Sequence, residues 1–331
     1  MPWLTPVLER FAQALDQARL PHATLVHGER GVGKRQLAES IANLLVCEQR
    51  PSGTSEPCGR CRQCELVAGE SHPDIRIYQP EKSRMVRIDQ VRALSQFAVA
   101  SPQVARFKVA ILDRADQLNI NAANALLKTL EEPAADVVLV LLQETGRPVL
   151  PTIRSRCRIM PLATPPMSEA AGWLSAQLAL REEAPDTETC ALALQLARGA
   201  PRLALELLDS GFLKQRDAAL DAFRQFMKGG ATVAAASRAF RELGHEATLT
   251  LMEGWANDLA RVMAGGDARD PGISEVVRYL ASGNPPWRAQ QLVDAIHESR
   301  RALVNNVSPE LETDRLLIQW QNLMPRRRRA V

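Results

Sequence analysis

The residues with the clearest chemical pattern form a glycine-rich segment near the start of the chain. Residues 28–35 read Gly-Glu-Arg-Gly-Val-Gly-Lys-Arg, directly after a short apolar run and directly before a helical pattern. In that context, glycines let backbone N–H groups converge on a phosphate, and the helix N-terminus adds partial positive charge. The pattern predicts a phosphate-binding loop formed by Gly28, Gly31 and Gly33, with Lys34 reaching the outer phosphates.

The residue after Lys34 does not fit an active ATPase. A hydrolysing phosphate loop carries Ser or Thr at that position, and its hydroxyl ligates Mg²⁺, whereas this chain carries Arg35. A guanidinium has no acceptor atom with which to ligate a cation. We therefore expect a site of nucleotide-binding origin in which ATP hydrolysis is lost and ATP binding is doubtful. The alternative is a loop retained only as a tight turn.

A second departure from an active ATPase follows the apolar run Lys108–Leu112. This run ends at Asp113, the residue type that holds Mg²⁺ in ATPases, where the next residue is a Glu that polarises the attacking water. Here the next residue is Arg114, and a guanidinium cannot act as a general base. Asp116 is expected to face elsewhere and not to substitute. Two independent losses of the same function favour a degenerate site.

Four cysteines have the spacing of a closed metal site. Cys47, Cys58, Cys61 and Cys64 form C-x₁₀-C-x₂-C-x₂-C, with a Pro/Ser/Gly-rich segment over residues 50–59. Four thiolates can supply a tetrahedral Zn²⁺ site with no open position, which is structural and not catalytic. A redox C-x-x-C is the alternative, and the additional thiols argue against it. Two cysteines outside the cluster are expected to be core residues: Cys157 and Cys190.

A short loop carries two arginines. Residues 152–157 read Thr-Ile-Arg-Ser-Arg-Cys and lie between the fourth and fifth strand candidates. Two arginines on a loop are usually solvated. In an oligomeric ATPase, however, an arginine in such a place can reach the γ-phosphate held by a neighbouring subunit. Spacing alone does not decide between these interpretations.

The elements that position these residues alternate between strands and helices over the first 160 residues. Such alternation predicts a parallel sheet with helices on both faces. Five short apolar runs are the strand candidates: Ala23–His27, Ile75–Tyr78, Lys108–Leu112, Asp136–Leu142 and Arg158–Leu162. The intervening helical patterns are Thr5–Ala18, Lys34–Val46, Ile88–Val99 and Asn121–Leu130. After Pro165 and Pro166, only helical patterns follow, with breaks at Gly229–Gly230, Gly265–Gly266 and Gly283–Pro286.

Composition bounds the class of protein. The chain has 331 residues, 46% of them hydrophobic and 24% charged, with a net charge of +3. These values are those of an ordinary globular protein, and the net charge does not indicate a nucleic-acid partner by itself. Residues 1–20 do not have the pattern of a signal peptide, and no apolar run reaches the length of a membrane span. We expect a cytoplasmic protein. The basic run Arg326–Arg329 is expected to be solvated, with contact to DNA as the alternative.

Together these features resemble the bacterial clamp-loader subunits, which are AAA+ proteins of the DNA polymerase III holoenzyme. Beyond the phosphate loop and the cysteine insertion, three segments carry the resemblance. They are His-Pro-Asp at 72–74, Asn-Ala-Ala-Asn-Ala-Leu-Leu-Lys-Thr-Leu-Glu-Glu-Pro at 121–133 and Ser-Arg-Cys at 155–157. The resemblance implies an AAA+ α/β domain over residues 1–163, with a zinc module at 47–70. It further implies a helical lid at 164–209 and an all-helical collar at 210–331.

Within that family, the chain resembles the delta-prime branch. Members of this branch typically have a degraded nucleotide site yet keep the arginine of Ser-Arg-Cys. Arg35 and Arg114, the lack of a long C-terminal extension and residues 150–154 all favour that branch over the ATP-hydrolysing tau/gamma motors.

The resemblance also implies residue roles. Arg156 matches the arginine finger that acts in trans on ATP held by an adjacent motor subunit. Arg202 matches the second-sensor position of the lid, where it would be a relic or a structural ion-pair former beside a dead site. Gln143 and Glu144 stand where the family usually has small hydroxyl residues, which argues against γ-phosphate sensing. The four cysteines match the family's zinc ligands.

The implied function is that of a stator within a larger complex. The expected partners are tau/gamma ATPase subunits, a delta subunit, the sliding clamp and primer-template DNA, the last through the assembled complex. No membrane partner is expected. The chain would be a component of a DNA-directed DNA polymerase holoenzyme without ATPase activity of its own. Two alternatives are an active motor subunit of the tau/gamma type and a zinc-bearing nucleic-acid-binding module.

Overall fold

The chain separates into two compact units. The computed structural model describes residues 1–81, 85–179, 181, 185–302 and 307–324. One unit comprises Met1–Glu182 with Gly199–Leu203, and the other comprises Glu183–Arg198 with Ala204–Val331. The three-domain division expected from the sequence stays a prediction. The basic run Arg326–Arg329 lies outside the described residues.

The first unit contains a parallel sheet, as predicted. In the described part of the chain it has five strands: β1 (Ala23–Gly28), β2 (Ile75–Tyr78), β3 (Lys108–Leu112), β4 (Val137–Glu144) and β5 (Arg158–Pro161). The strand order is β2-β3-β4-β1-β5, and every pairing is parallel. Strands β3 and β4 are buried along their whole length, as interior strands covered on both faces must be.

Helices cover both faces of this sheet. The helices of this unit are α1 (Thr5–Asp16), α2 (Lys34–Val46), α3 (Arg62–Ala68), α4 (Ile88–Val99), α5 (Ile120–Glu131), α6 (Pro151–Arg154) and α7 (Met167–Leu178), of which α1, α2, α4 and α5 pack on the strands. One core cluster joins α1 and α2 to residues such as Val109 and Val140, and a second joins α4 and α5 to residues such as Ala110 and Leu139. The clusters alternate along each strand because successive side chains point to opposite faces.

The boundaries of most elements agree with the sequence patterns, and the exceptions have local causes. Helix α1 ends two residues earlier than predicted, and Ala18 just beyond it has a φ of +52°. Strand β4 runs two residues further than predicted because Gln143 and Glu144 continue the pairing with His27 and Gly28. The short helices α3 and α6 were not predicted, since four to seven residues carry too little periodicity.

The second unit is helical throughout its described residues. Its helices are α8 (Thr187–Leu196), α9 (Pro201–Asp209, whose first three residues belong to the first unit), α10 (Phe212–Met227), α11 (Val233–Leu243), α12 (His245–Met263), α13 (Ser274–Gly283), α14 (Trp287–Ala302) and α15 (Pro309–Gln321). The predicted breaks are confirmed. Phe223, Trp255 and Trp320 form its aromatic core, with the Phe223 ring centroid 4.8 Å from Trp255 and 5.4 Å from Trp320. Within the described residues, no helix is long and apolar enough to cross a membrane.

A buried carboxylate organises this helical core. Asp270 accepts hydrogen bonds from the Arg216 guanidinium and, at 3.0 Å, from the Trp255 indole N–H. The Arg216 side chain is only 3% exposed, so its charge is compensated inside the protein. Its other carboxylate partner, Asp217, is largely exposed.

Asp270→Asn should destabilise the helical unit by about 3 kcal/mol, because it leaves the buried Arg216 charge without its main partner. Urea unfolding of the full chain, followed by tryptophan fluorescence, measures this loss. Asp217→Asn is the matched control and should shift the midpoint little. Equal midpoints for the two variants would contradict the assignment of Asp270 as the anchor.

Candidate phosphate-loop site and cysteine cluster

The glycine-rich segment lies where a phosphate loop is expected, between the end of β1 and the start of α2. Strands β1, β3 and β4 are parallel neighbours, so their carboxyl ends meet at one edge of the sheet. This edge brings together Gly28, Asp113 and Glu144, with Gly28 directly paired with Glu144. In open α/β sheets, ligands bind at this edge.

Lys34 is folded back onto its own loop. Its Nζ donates to the carbonyl oxygen of Gly28 at 2.8 Å and to that of Glu29 at 2.7 Å. Burial lowers the pKa of Lys34, while the charge of Glu144 raises it in part. The ammonium group is therefore satisfied by the backbone carbonyls that surround it.

Arg35 lies beside the aspartate that ATPases use to hold Mg²⁺. Its Nη1 is 3.2 Å from Asp113 Oδ2 and donates to Gln79 Oε1 at 2.9 Å. Its Nε donates to Glu39 Oε1, one helical turn further along α2, at 2.6 Å. The guanidinium thus brings a positive charge to the carboxylate that would otherwise hold the metal ion.

Arg114 is held by two carboxylates. It has a φ of +66° immediately after the strand-end aspartate, and its Nη2 is 2.9 Å from both Asp116 Oδ2 and Glu144 Oε2. A second guanidinium, that of Arg147, is also 2.9 Å from Glu144 Oε2. The side chain of Asp116 is fully buried, and it accepts a hydrogen bond from the backbone N–H of Glu144 at 3.2 Å.

The expectation that Asp116 faces elsewhere is wrong. The turn at Arg114, followed by a short 3-10 helix at Ala115–Gln117, directs Asp116 back to the sheet edge. Burial lowers the pKa of Lys34, and the negative charge of Asp116 acts in the opposite direction. The sequence does not indicate this orientation of Asp116, because the alternation of side chains along β3 ends at Leu112 and the backbone turns at Arg114, which has a positive φ.

The start of α9 lies directly on the phosphate loop. Gly31 has a φ of +79°, and a Cβ there would lie 2.4 Å from the backbone nitrogen of Leu203. The backbone N–H of Arg202 donates to the Gly31 carbonyl at 3.0 Å, while the Arg202 side chain is exposed. Glycine at position 31 thus allows close approach of the α9 backbone as well as a left-handed turn.

The N-terminal residues also cover this loop, which the sequence did not indicate. The Trp3 indole N–H donates to the Val32 carbonyl at 2.8 Å. Gly33 has a φ of +100°, and a Cβ there would lie 2.6 Å from the sulfur of Met1.

Arg156 lies after α6, at the surface of the first unit. Its Nε donates to Glu131 Oε1 at 2.8 Å, its Nη2 donates to the same oxygen, and its Nη1 donates to the Thr152 carbonyl at 3.0 Å. Its side chain is 35% exposed, so the arginine is neither buried nor freely solvated.

The four predicted metal ligands come together. The Sγ atoms of Cys47, Cys58, Cys61 and Cys64 all lie within 4.8 Å of one another, and three of the pairs are 3.5–4.0 Å apart. Tetrahedral coordination with metal–sulfur distances of about 2.3 Å requires sulfur separations of about 3.8 Å. The cluster therefore fits a metal ion bound by four thiolates.

The electrostatics of the cluster differ between its members. Burial raises the pKa of Cys61, but the backbone N–H groups of Cys64 and Glu48 outweigh it and lower the pKa to about 6. Burial, together with the neighbouring Cys61 thiol, raises the pKa of Cys64 to about 12. Outside the cluster, burial raises the pKa of Cys157 to about 11, as expected of an unreactive core thiol.

The His-Pro-Asp segment connects the cysteine cluster to the sheet. Gln63, on α3 between two of the cysteines, accepts a hydrogen bond from His72 Nε2 at 2.9 Å and donates to the Val104 carbonyl at 3.0 Å. The buried carboxylate of Asp74 accepts from the backbone N–H groups of Gln103, Val104 and Ala105 at 2.8–2.9 Å. These bonds attach both the cluster and the start of β2 to the loop before β3.

The parallel sheet with a phosphate loop between β1 and α2 defines a phosphate-loop nucleotide-binding fold. Comparison with known proteins narrows this class. A family model described as DNA polymerase III, delta subunit, matches residues 3–166. The DNA polymerase III subunit delta' of Pseudomonas aeruginosa is 32% identical over 330 residues, which cover 97% of each chain. The chain belongs to the family of DNA polymerase III delta' subunits.

Two further comparisons match the chain less closely. A DNA polymerase III subunit gamma/tau of Mycobacterium tuberculosis is 32% identical over 196 residues, which are 59% of this chain and 34% of that protein. A solved structure of a gamma subunit-related protein from Thermotoga maritima aligns with 94% of this chain and 98% of its own, at a TM-score of 0.45 and 19% identity.

Asp74→Asn should lower the free energy of unfolding by about 2–3 kcal/mol, because an amide group would face backbone N–H donors. Burial raises the pKa of Asp74, but three backbone N–H groups outweigh it and hold the pKa below its ordinary value of 3.8. The stabilisation by the carboxylate is therefore complete above pH 3.8 and is lost as the pH falls through the lowered pKa.

Urea unfolding of both proteins at neutral pH, and again well below pH 3.8, tests this prediction. The difference between them should shrink at the acidic pH. Asp89→Asn, on the exposed face of α4, is the control and should leave the midpoint unchanged. A midpoint for Asp74→Asn that matches this control at neutral pH would rule out the proposed anchoring role.

Proposed function

We propose that this chain is a stator subunit of a clamp-loader complex and does not hydrolyse ATP at its own phosphate loop. It helps to load the sliding clamp onto primed DNA, in a cytoplasmic complex with tau/gamma ATPase subunits and a delta subunit. Contact with primer-template DNA occurs through the assembled complex. Membership of the delta' family supports this assignment, as does the partial similarity to gamma/tau.

The single observation that carries the proposal is the ion pair between Arg35 and Asp113. An Mg²⁺ ion at this carboxylate would be repelled by a guanidinium already within 3.2 Å of it. Hydrolysis also requires a group that polarises water, and the residue after Asp113 is an arginine paired with Asp116 and Glu144. The alternative, an active tau/gamma-like motor, would need other residues in place of the missing Mg²⁺-ligating hydroxyl at position 35 and the missing glutamate at position 114.

In this proposal Arg156 supplies positive charge to ATP bound by a neighbouring subunit. Its partly exposed guanidinium lies at the surface of the first unit and carries a fixed positive charge, which a γ-phosphate can bind. Arg202, with its exposed side chain beside the loop, is assigned no catalytic role.

Arg156→Ala should strongly reduce the DNA-stimulated ATP turnover of the reconstituted complex while leaving its assembly intact. Arginine fingers are worth about 10³–10⁵ in rate at the site they serve, so the single interface that uses Arg156 should become inactive. Steady-state phosphate release, with gel filtration to verify assembly, measures this effect.

Arg154→Ala is the matched control, since Arg154 is the exposed last residue of α6, two residues before Arg156. It should retain the wild-type turnover. If Arg156→Ala in an intact complex also retains it, the trans role is excluded.

We also propose that the cysteine cluster holds a structural Zn²⁺ ion. All four donors are thiols with tetrahedral spacing, which favours zinc among the common metals and leaves no position open for substrate. The ion would tie Cys47, at the end of α2, to the loop and helix that carry the other three ligands.

The purified chain should contain about one zinc ion per molecule. Cys64→Ser should lower the zinc content and the thermal stability, because a hydroxyl is a poor zinc ligand, whereas Cys157→Ser should retain the metal. Elemental analysis of protein prepared without added metal measures the content. A fully folded, zinc-free wild-type chain would contradict the proposal.

A further inference from the structure

The contacts of Arg156 show a guanidinium that is turned inward. All three of its nitrogens donate within the chain: Nε and Nη2 to Glu131 Oε1, and Nη1 to the Thr152 carbonyl and the Ser155 hydroxyl. An arginine that contacts a phosphate needs some of these same donors. In the isolated chain, these donors are therefore already hydrogen-bonded to acceptors of the same chain.

Glu131 is suited to compete with a phosphate for this arginine. It is the last residue of α5, and its carboxylate receives both the Nε and the Nη2 of Arg156. This is the edge of the guanidinium that offers two parallel donors to an anion. Glu131 also cancels the positive charge that would attract a γ-phosphate from another subunit.

The pair lies where exchange of partners is feasible. The Glu131 side chain is 48% exposed and that of Arg156 is 35% exposed, so a group from a neighbouring molecule can approach both. An exposed ion pair is weak enough to be broken when the negatively charged oxygens of a γ-phosphate compete for the arginine. The pair can thus restrain the arginine without immobilising it.

We propose that Glu131 is a positioning residue. Its carboxylate holds the Arg156 side chain turned inward and neutralises its charge until the γ-phosphate of a neighbouring subunit takes the place of the carboxylate. This inference rests on the proposed function of Arg156. When the γ-phosphate of the neighbouring subunit is poorly placed, the Glu131 carboxylate keeps Arg156 away from it and lowers ATP turnover. Once the phosphate is bound in the active arrangement, the carboxylate has little effect on the rate.

The test compares Glu131→Gln with Glu132→Gln in the reconstituted complex. Glutamine keeps the size of the side chain and one acceptor oxygen but removes the charge, and Glu132 is the exposed neighbour on the same turn. With subsaturating ATP and no DNA, Glu131→Gln should raise turnover by about two- to fivefold, the factor that an exposed ion pair supplies. With saturating ATP and DNA, the maximal rate should change by less than about twofold, since the bound phosphate has already displaced the carboxylate.

Arg156→Ala is measured in parallel so that the two proposals can fail separately. If Arg156→Ala lowers turnover but Glu131→Gln behaves like wild type and Glu132→Gln, the restraint by Glu131 is refuted and the role of Arg156 stands. If Glu131→Gln lowers turnover towards the Arg156→Ala level, Glu131 supports the arginine instead of restraining it, and the inference is equally refuted. If Arg156→Ala has no effect, both proposals fail.

A second measurement on the full-length free chain does not depend on assembly. Phenylglyoxal modifies accessible guanidinium groups, and peptide mass spectrometry locates the modified arginine. Modification of Arg156 should be faster in Glu131→Gln than in the wild type and unchanged in Glu132→Gln. Equal modification rates in all three proteins would show that Glu131 does not hold the Arg156 side chain inward and would refute the proposal.

Discussion

The position of the Arg35 guanidinium beside Asp113 determines the charge balance at the carboxyl edge of the sheet. This carboxylate directly follows the buried strand β3 and is only 24% exposed, so its charge is partly removed from solvent. Arg35 supplies the compensating charge from the first turn of α2. The remaining charged groups at this edge are paired in the same way: Arg114 with Asp116 and Glu144, and Lys34 with the loop carbonyls. Each of these charged groups therefore has a hydrogen-bonding or ionic partner within the chain.

Buried carboxylates recur as anchors in both units. Asp74 binds three consecutive backbone N–H groups and so attaches the strand next to the cysteine cluster to the loop before β3. Asp270 joins Arg216 and Trp255 in the helical core. Each carboxylate replaces its lost hydration with several hydrogen bonds, which makes the local geometry costly to change. Such rigid connections suit a subunit whose proposed role is to hold others in place.

Much of the fold could be predicted from the sequence because its signals are local. Apolar runs and helical periodicity placed the strands and the helices α1, α2, α4 and α5 of the first unit, and the spacing of the four cysteines predicted their cluster. The departures of Arg35 and Arg114 from the ATPase pattern were also visible in the sequence. What was not visible depends on tertiary contacts. The left-handed turn at Arg114 brings Asp116 back to the site. The contacts of Trp3 with Val32, and of Leu203 with Gly31, join segments far apart in the chain.

The most direct test of the central claim is steady-state ATP turnover by the purified full-length chain, with Lys34→Ala measured in parallel. If the Arg35–Asp113 ion pair excludes Mg²⁺ as proposed, neither protein should release phosphate above background, and the two should be indistinguishable. ATP turnover by the wild-type chain that Lys34→Ala abolishes would contradict this account. It would show that the phosphate loop is a working ATPase site and that the chain acts as a motor.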